Sequence, residues 1–143
     1  MSEPTLFTRI INGEIPGRFV WSDDVCVAFL TIAPIQEGHT LVVPRQEVAH
    51  WLDLDEATWL HVNRVAKTIG EAIQRVWRPE KVGLMLAGLE VPHVHVHVLP
   101  IWSVDDLAFS NARPDTPAAE LDANADSIRQ ALRASGAPGV PEG

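Results

Sequence analysis

The chain of 143 residues has one cysteine, Cys26, so no intramolecular disulfide can form. Cys26 sits in the apolar run Val25-Cys26-Val27-Ala28-Phe29-Leu30, where a buried, inert thiol is expected. Basic residues are scarce: 11 lysines and arginines stand against 19 aspartates and glutamates, a net charge of -8. Non-specific nucleic-acid binders work by neutralising many phosphates with Lys and Arg, so that class is disfavoured. The acidic excess is spread along the chain, and a phosphate-bearing ligand would need a local pocket of histidines and backbone N–H groups. No apolar stretch reaches membrane-spanning length, and Met1-Ser2-Glu3-Pro4 has neither the basic nor the apolar part of a leader. These absences give the expectation of a soluble cytoplasmic protein with no membrane and no nucleic-acid partner.

What is present is 46% hydrophobic residues, enough for the core of one ordinary domain. Thr5 to Asn12, closed by Gly13, reads as a short helix. Strands are expected at Arg18-Phe19-Val20-Trp21, Val25 to Ile32 and Thr40 to Pro44, separated by Ser22-Asp23-Asp24 and by Ala33 to Gly38. A helix is expected from Asp53, with Glu56 as capping-box partner, to about Trp77 before Pro79. Its Val62, Val65, Ala66, Ile69, Ile73 and Val76 follow the 3.6-residue period. Two further strands, Lys81 to Ala87 and His93 to Ile101, are joined by Gly88 to Pro92. The expected fold class is α+β: a five-stranded antiparallel sheet covered by one long helix, with a short N-terminal helix and a C-terminal helical tail. Residues 1–102 form the expected domain. In the tail, 103–143, Thr116 as N-cap and Pro117 at the first position start a helix over about 116–135, whose Leu121, Ala125, Ile128 and Leu132 form a thin apolar stripe. His50 and His61 read as surface residues.

The chemistry is concentrated in His93-Val94-His95-Val96-His97-Val98-Leu99-Pro100. Alternate strand residues point to one face, so three imidazoles share a face while three valines share the other. The valines belong to the core. A face given over to imidazoles forgoes apolar burial, which points to a functional site. Zinc is the main rival ligand. Adjacent pairs could chelate it, but Cα atoms four residues apart on a strand lie about 13 Å apart, while a Zn–N bond is about 2.0–2.1 Å. A phosphoryl ester is larger, and the central imidazole could meet phosphorus while the outer two touch oxygens or the leaving group.

The run matches the pattern His-φ-His-φ-His-φ-φ, with φ apolar, and so resembles the histidine triad (HIT) family. The likeness extends through Leu6-Phe7-Thr8-Arg9-Ile10-Ile11, Gly13-Glu14-Ile15-Pro16, Asp23-Asp24, Phe29, Pro34 and Gly38-His39-Thr40-Leu41-Val42-Val43-Pro44-Arg45. It covers about residues 5–102 and is greatest to the Hint branch, whose members dimerise and cleave nucleoside phosphoramidates and related adenylates. The resemblance implies that His95 is the nucleophile, forming a nucleotidyl-histidine at Nε2, and that His97 and His93 orient phosphate and manage the leaving-group proton. A histidine protonated near neutral pH would serve as that acid. His39 is implied as a supporting histidine. Leu6, Phe7, Ile15 and Phe29 match walls of the nucleobase pocket. A small nucleotide, with purine as the expected base, and a second copy of the chain are the implied partners, and no cofactor or metal is implied. A dinucleoside polyphosphate hydrolase and a non-catalytic nucleotide-binding module are the alternatives.

Several positions depart from the family pattern. Thr5 and Thr8 stand where many members carry a Cys-x-x-Cys zinc pair, and Glu47 where they carry a histidine. Thr31 replaces the ribose-binding acidic residue, which a single hydroxyl does not match as an acceptor for two ribose hydroxyls. The loop Ala87 to Pro92 is short, and Glu90 occupies a phosphate-contacting Ser or Thr position. A carboxylate facing phosphate is unfavourable, so Glu90 is expected to turn away, toward Arg45 or its own loop's N–H groups.

Overall fold

The computed structural model describes residues 3–142. Its elements are α1 (Leu6–Ile11), β1 (Phe19–Ser22), β2 (Cys26–Leu30), β3 (Thr40–Pro44), α2 (Glu56–Trp77), β4 (Lys81–Met85), β5 (Val96–Ile101) and α3 (Ala118–Ala134). Five strands form one sheet in the order β1-β2-β3-β5-β4, with every neighbouring pair antiparallel.

The period of two in the strands divides the core into two layers. Cys26, Ala28, Leu30, Val42, Val96 and Val98 pack against Val62, Val65, Ala66, Ile69 and Ile73 of α2. Val27, Phe29, Leu41 and Val43 face the other way and meet Phe7 and Ile10 of α1. The tail helix docks on its own subunit: Ala125, Ile128 and Leu132 join the α2 layer, and Arg129 Nε donates to the Phe19 carbonyl at 2.8 Å. One face of the sheet therefore carries two helices, where the sequence reading assigned it one.

Several boundaries differ from expectation for local reasons. The strand expected from His93 starts at Val96, because the Val94 N–H donates to Val48 O and the His93 N–H to Val91 O, diverting this backbone from the ladder with β3. The first long helix starts after Asp55, since Trp51–Asp53 closes as a 3₁₀ turn, and the Asp53 capping box does not form. In the tail Pro117 is the N-cap, and the Thr116 hydroxyl donates to Arg113 O at 2.7 Å instead of capping.

His61 is not a free surface residue. Its Nε2 lies 2.7 Å from Asp23 Oδ2, which also accepts from Trp21 Nε1, while Oδ1 accepts from the N–H groups of Val25 and Cys26. Burial alone would raise the Asp23 pKa, but these donors outweigh it and hold the carboxyl at about 2.

Candidate active site

Three short segments converge where α1 crosses the imidazole face: the loop before β3, the backbone leading into β5, and α1 itself. Gly38 makes the first possible. Its φ of +82° turns the chain into β3, and an added Cβ would lie 2.5 Å from the Trp77 ring. The next residue, His39, is thereby pointed inward, where it is buried.

Hydrogen-bond partners determine the state of each imidazole. The Ile35 N–H donates to His39 Nδ1 at 3.1 Å, so a neutral His39 carries its proton on Nε2 and donates it to His97 Nδ1 at 2.9 Å. His97 in turn carries its proton on Nε2. His95 Nδ1 lies 2.7 Å from the carbonyl of His93 and can only donate to it, which leaves the Nε2 lone pair free. His93 Nε2 donates to Pro44 O at 2.8 Å, and its Nδ1 accepts from the Thr5 hydroxyl at 2.7 Å.

Both ring nitrogens of His93 are thus occupied, and the side chain is fully buried. The phosphate-orienting role implied for His93 does not fit this geometry; its carbonyl holds His95 instead. Behind it, Glu47 accepts from the Thr5 N–H at 2.8 Å and from the Thr8 hydroxyl at 2.7 Å. Thr5, Thr8 and Glu47, the positions where the resemblance puts zinc ligands, are therefore occupied by a hydrogen-bonded cluster that also holds His93.

Burial lowers the pKa of all four imidazoles. His39 falls to about 3 and His97 to about 4, each from desolvation first and then from neighbouring imidazoles. His93 and His95 are also lowered by desolvation, against hydrogen bonds to carbonyls that oppose the shift. The lowered values run against the expectation of a site histidine protonated near neutrality.

A cavity of about 250 Å3 opens beside His95 and His97. Leu6, Phe7, Ile15, Phe29, Thr31 and Glu90 all line it, so every pocket residue expected from sequence is brought to one place. Phe7 stands edge-on to the His95 ring, with centroids 4.7 Å apart, and steadies the imidazole from the α1 side. The Thr31 hydroxyl oxygen accepts from the Ala33 N–H at 3.2 Å, leaving its proton to donate. Glu90 does not turn away to Arg45, whose guanidinium is spent on Asp23 O and Ser22 Oγ. Its charge is felt at His95, where it opposes the lowering by burial. Phe109 was not anticipated: it follows β5 in a 3₁₀ turn and meets His97 edge-on at 5.0 Å. No periodicity marks it in the sequence.

Asp23, Cys26 and His61 bring potential metal-ligating atoms within 4.8 Å of one another. Burial and the Asp23 charge push the Cys26 thiol up to about 12, and Asp23 already accepts four donors, so this group serves as a hydrogen-bonded turn.

With this geometry in place, the similarities are specific. The HIT domain family matches residues 12–103, and the chain belongs to that family. A HIT-like protein of Borreliella burgdorferi is 36% identical over 111 residues, 73% of this chain and 80% of that protein. An adenylylsulfatase of Arabidopsis thaliana is 26% identical over 130 residues, 81% of this chain and 64% of that protein. Among solved structures, a hypothetical histidine triad nucleotide-binding protein of Sulfolobus tokodaii superposes with a TM-score of 0.77 at 30% identity, covering 90% of this chain and 91% of that one. No helix among the described residues is long and apolar enough to cross a membrane.

Proposed function

We propose that the protein is a nucleotide hydrolase or transferase that attacks the α-phosphate of nucleoside phosphoramidates or related adenylates through His95. The observation that carries this reading is the 2.7 Å contact of His95 Nδ1 with the His93 carbonyl. It fixes the tautomer whose Nε2 lone pair is nucleophilic, beside a cavity with an apolar wall for a base. As the Nε2–P bond forms, the P–N bond to the amine breaks, and the amine leaves with the electron pair and takes a proton from solvent. Water then attacks phosphorus, loses a proton and releases nucleoside monophosphate and His95. His97 Nε2–H donates to the oxygens that gain charge, and His39 holds it in that tautomer. Phe7 and Phe29 supply the base wall and Thr31 one hydroxyl toward the sugar.

The same reading includes a homodimer. β4 is an edge strand with Leu84 exposed, and a groove lined by Gly70, Gln74, Val82 and Leu84 runs between it and α2. Sedimentation giving only monomer at micromolar concentration would remove that part. The catalytic reading is tested by mixing the protein with adenosine phosphoramidate, quenching, and mapping the adduct by mass spectrometry. Adenylyl on His95, absent in His95→Gly, is the expected result; turnover that survives His95→Ala defeats the assignment.

A further inference from the structure

His95 and His97 have a second flank. Adjoining the base-lined cavity, and sharing Glu90, His95 and His97 with it, lies another of about 130 Å3, walled by Gly88, Leu89 and Phe109. Leu89 is 92% exposed and Phe109 44% exposed, so both present apolar surface at the mouth. The one carboxylate on this wall is Glu90, which makes no hydrogen bond or ion pair among the described residues and borders both cavities. Among the described residues no Lys or Arg lines the second cavity. Arg18, the one cationic side chain that the described residues place on the first, is bonded to Asp122 at 2.7 Å.

We infer that the second cavity receives the group departing from phosphorus, and that Glu90 selects cationic or neutral amines with an apolar body over anionic leaving groups. The inference rests on the reading of His95 as nucleophile. With a base against Phe7 and Phe29 in the first cavity and phosphorus at His95 Nε2, the adjoining cavity bounded by Glu90 and Phe109 is the space left beside the same two histidines for the departing group. A sulfate, a carboxylate or a polyphosphate entering there meets a carboxylate with no cation to offset it. An ammonium meets the carboxylate favourably and has the exposed Phe109 ring beside it. The site is therefore directed away from dinucleoside polyphosphates and from adenylyl sulfate, the kind of substrate that the Arabidopsis relative's name denotes. A solvated loop glutamate with no influence on substrate is the competing interpretation, and it predicts no charge selection.

The test uses three adenosine phosphoramidates of equal reactivity at phosphorus, their alkyl chains ending in an ammonium, a methyl or a carboxylate. The wild-type protein should show kcat/KM at least roughly tenfold higher for the ammonium chain than for the carboxylate chain. Glu90→Gln should bring that ratio close to one, and Glu90→Lys should reverse it. A wild-type ratio near one, or a ratio that both variants leave unchanged, overturns the selection by Glu90 while leaving the hydrolase reading intact. Failure of all three compounds to turn over, with no adduct on His95, overturns the hydrolase reading and the leaving-group assignment with it.

Discussion

His39 and His97 share one proton's worth of order: Nε2 of the first lies 2.9 Å from Nδ1 of the second, and the Ile35 N–H decides which of them donates. A backbone amide thereby sets, through two rings, where His97 presents its N–H. His39→Ala should lower kcat by roughly ten- to a hundredfold by freeing His97 to invert. It should also cost about 1–3 kcal/mol of stability, because a buried amide loses its acceptor. His39→Asn keeps a donor and an acceptor and should restore part of both. Equal kcat in all three proteins would show that His97 needs no such partner.

The same burial makes the fold acid-sensitive in a defined window. Well above pH 6.5, from about pH 7.5, these histidines are neutral whether the chain is folded or not, and they contribute no pH dependence. Below that the unfolded chain takes up protons that the folded site refuses, so stability falls until the pH reaches about 4 for His97 and about 3 for His39. Asp23 acts later, its stabilisation present above its ordinary value of 3.8 and lost as the pH falls toward about 2. Each histidine should contribute a slope of up to roughly 1.4 kcal/mol per pH unit. Calorimetry should show the melting temperature declining between about pH 7 and 5.5, above the carboxylate range; a flat profile there would contradict the buried neutral imidazoles.

Thr5 holds both the start of α1 and the Nδ1 of His93. Thr5→Val removes the hydroxyl from both and should cost about 1–3 kcal/mol. It should also lower kcat, since His93, whose carbonyl orients His95, would keep its bond to Pro44 O but lose the one at Nδ1. Thr5→Ser keeps the hydroxyl and should recover both properties. If Thr5→Val melts and turns over like the wild type, the cluster with Thr8 and Glu47 plays no part in supporting the site.

Val96 tests the sidedness of the strand. It is buried against α2 between two histidines that face the opposite layer. Val96→Asp places an unpaired charge in that core and should cost several kcal/mol, comparable with the stability of a whole domain. Thermal melting of the purified variant, or its failure to accumulate in soluble form, checks the expectation.

The sheet and the long helix were legible in the sequence because each rests on a local period, whereas the grouping of Leu6, Phe7, Ile15, Phe29 and Thr31 beside His95 was legible only through the family resemblance, since no period or contiguous motif joins residues so far apart. The role of His93 was not, since it depends on where Pro44 and Thr5 end up, 49 and 88 positions away in the chain. Phe109 and the His61–Asp23 pair were invisible for the same reason: single side chains on turns and helix faces acquire partners only through tertiary contact. The late start of the strand at Val96 follows from the bonds of the Val94 N–H to Val48 O and the His93 N–H to Val91 O, for which residue patterns carry no signal.

Cys26 lies wholly within the layer between β2 and α2, and its thiol, held at about 12, is neither reachable nor ionised in the folded chain. An alkylating reagent can therefore act on it only when that layer opens, and the chain's lone thiol becomes a built-in clock for opening. Any ligand that favours the closed fold slows the clock in proportion to its occupancy. Nucleotide affinity thus becomes measurable from labelling rate alone, in variants such as His95→Ala that turn nothing over.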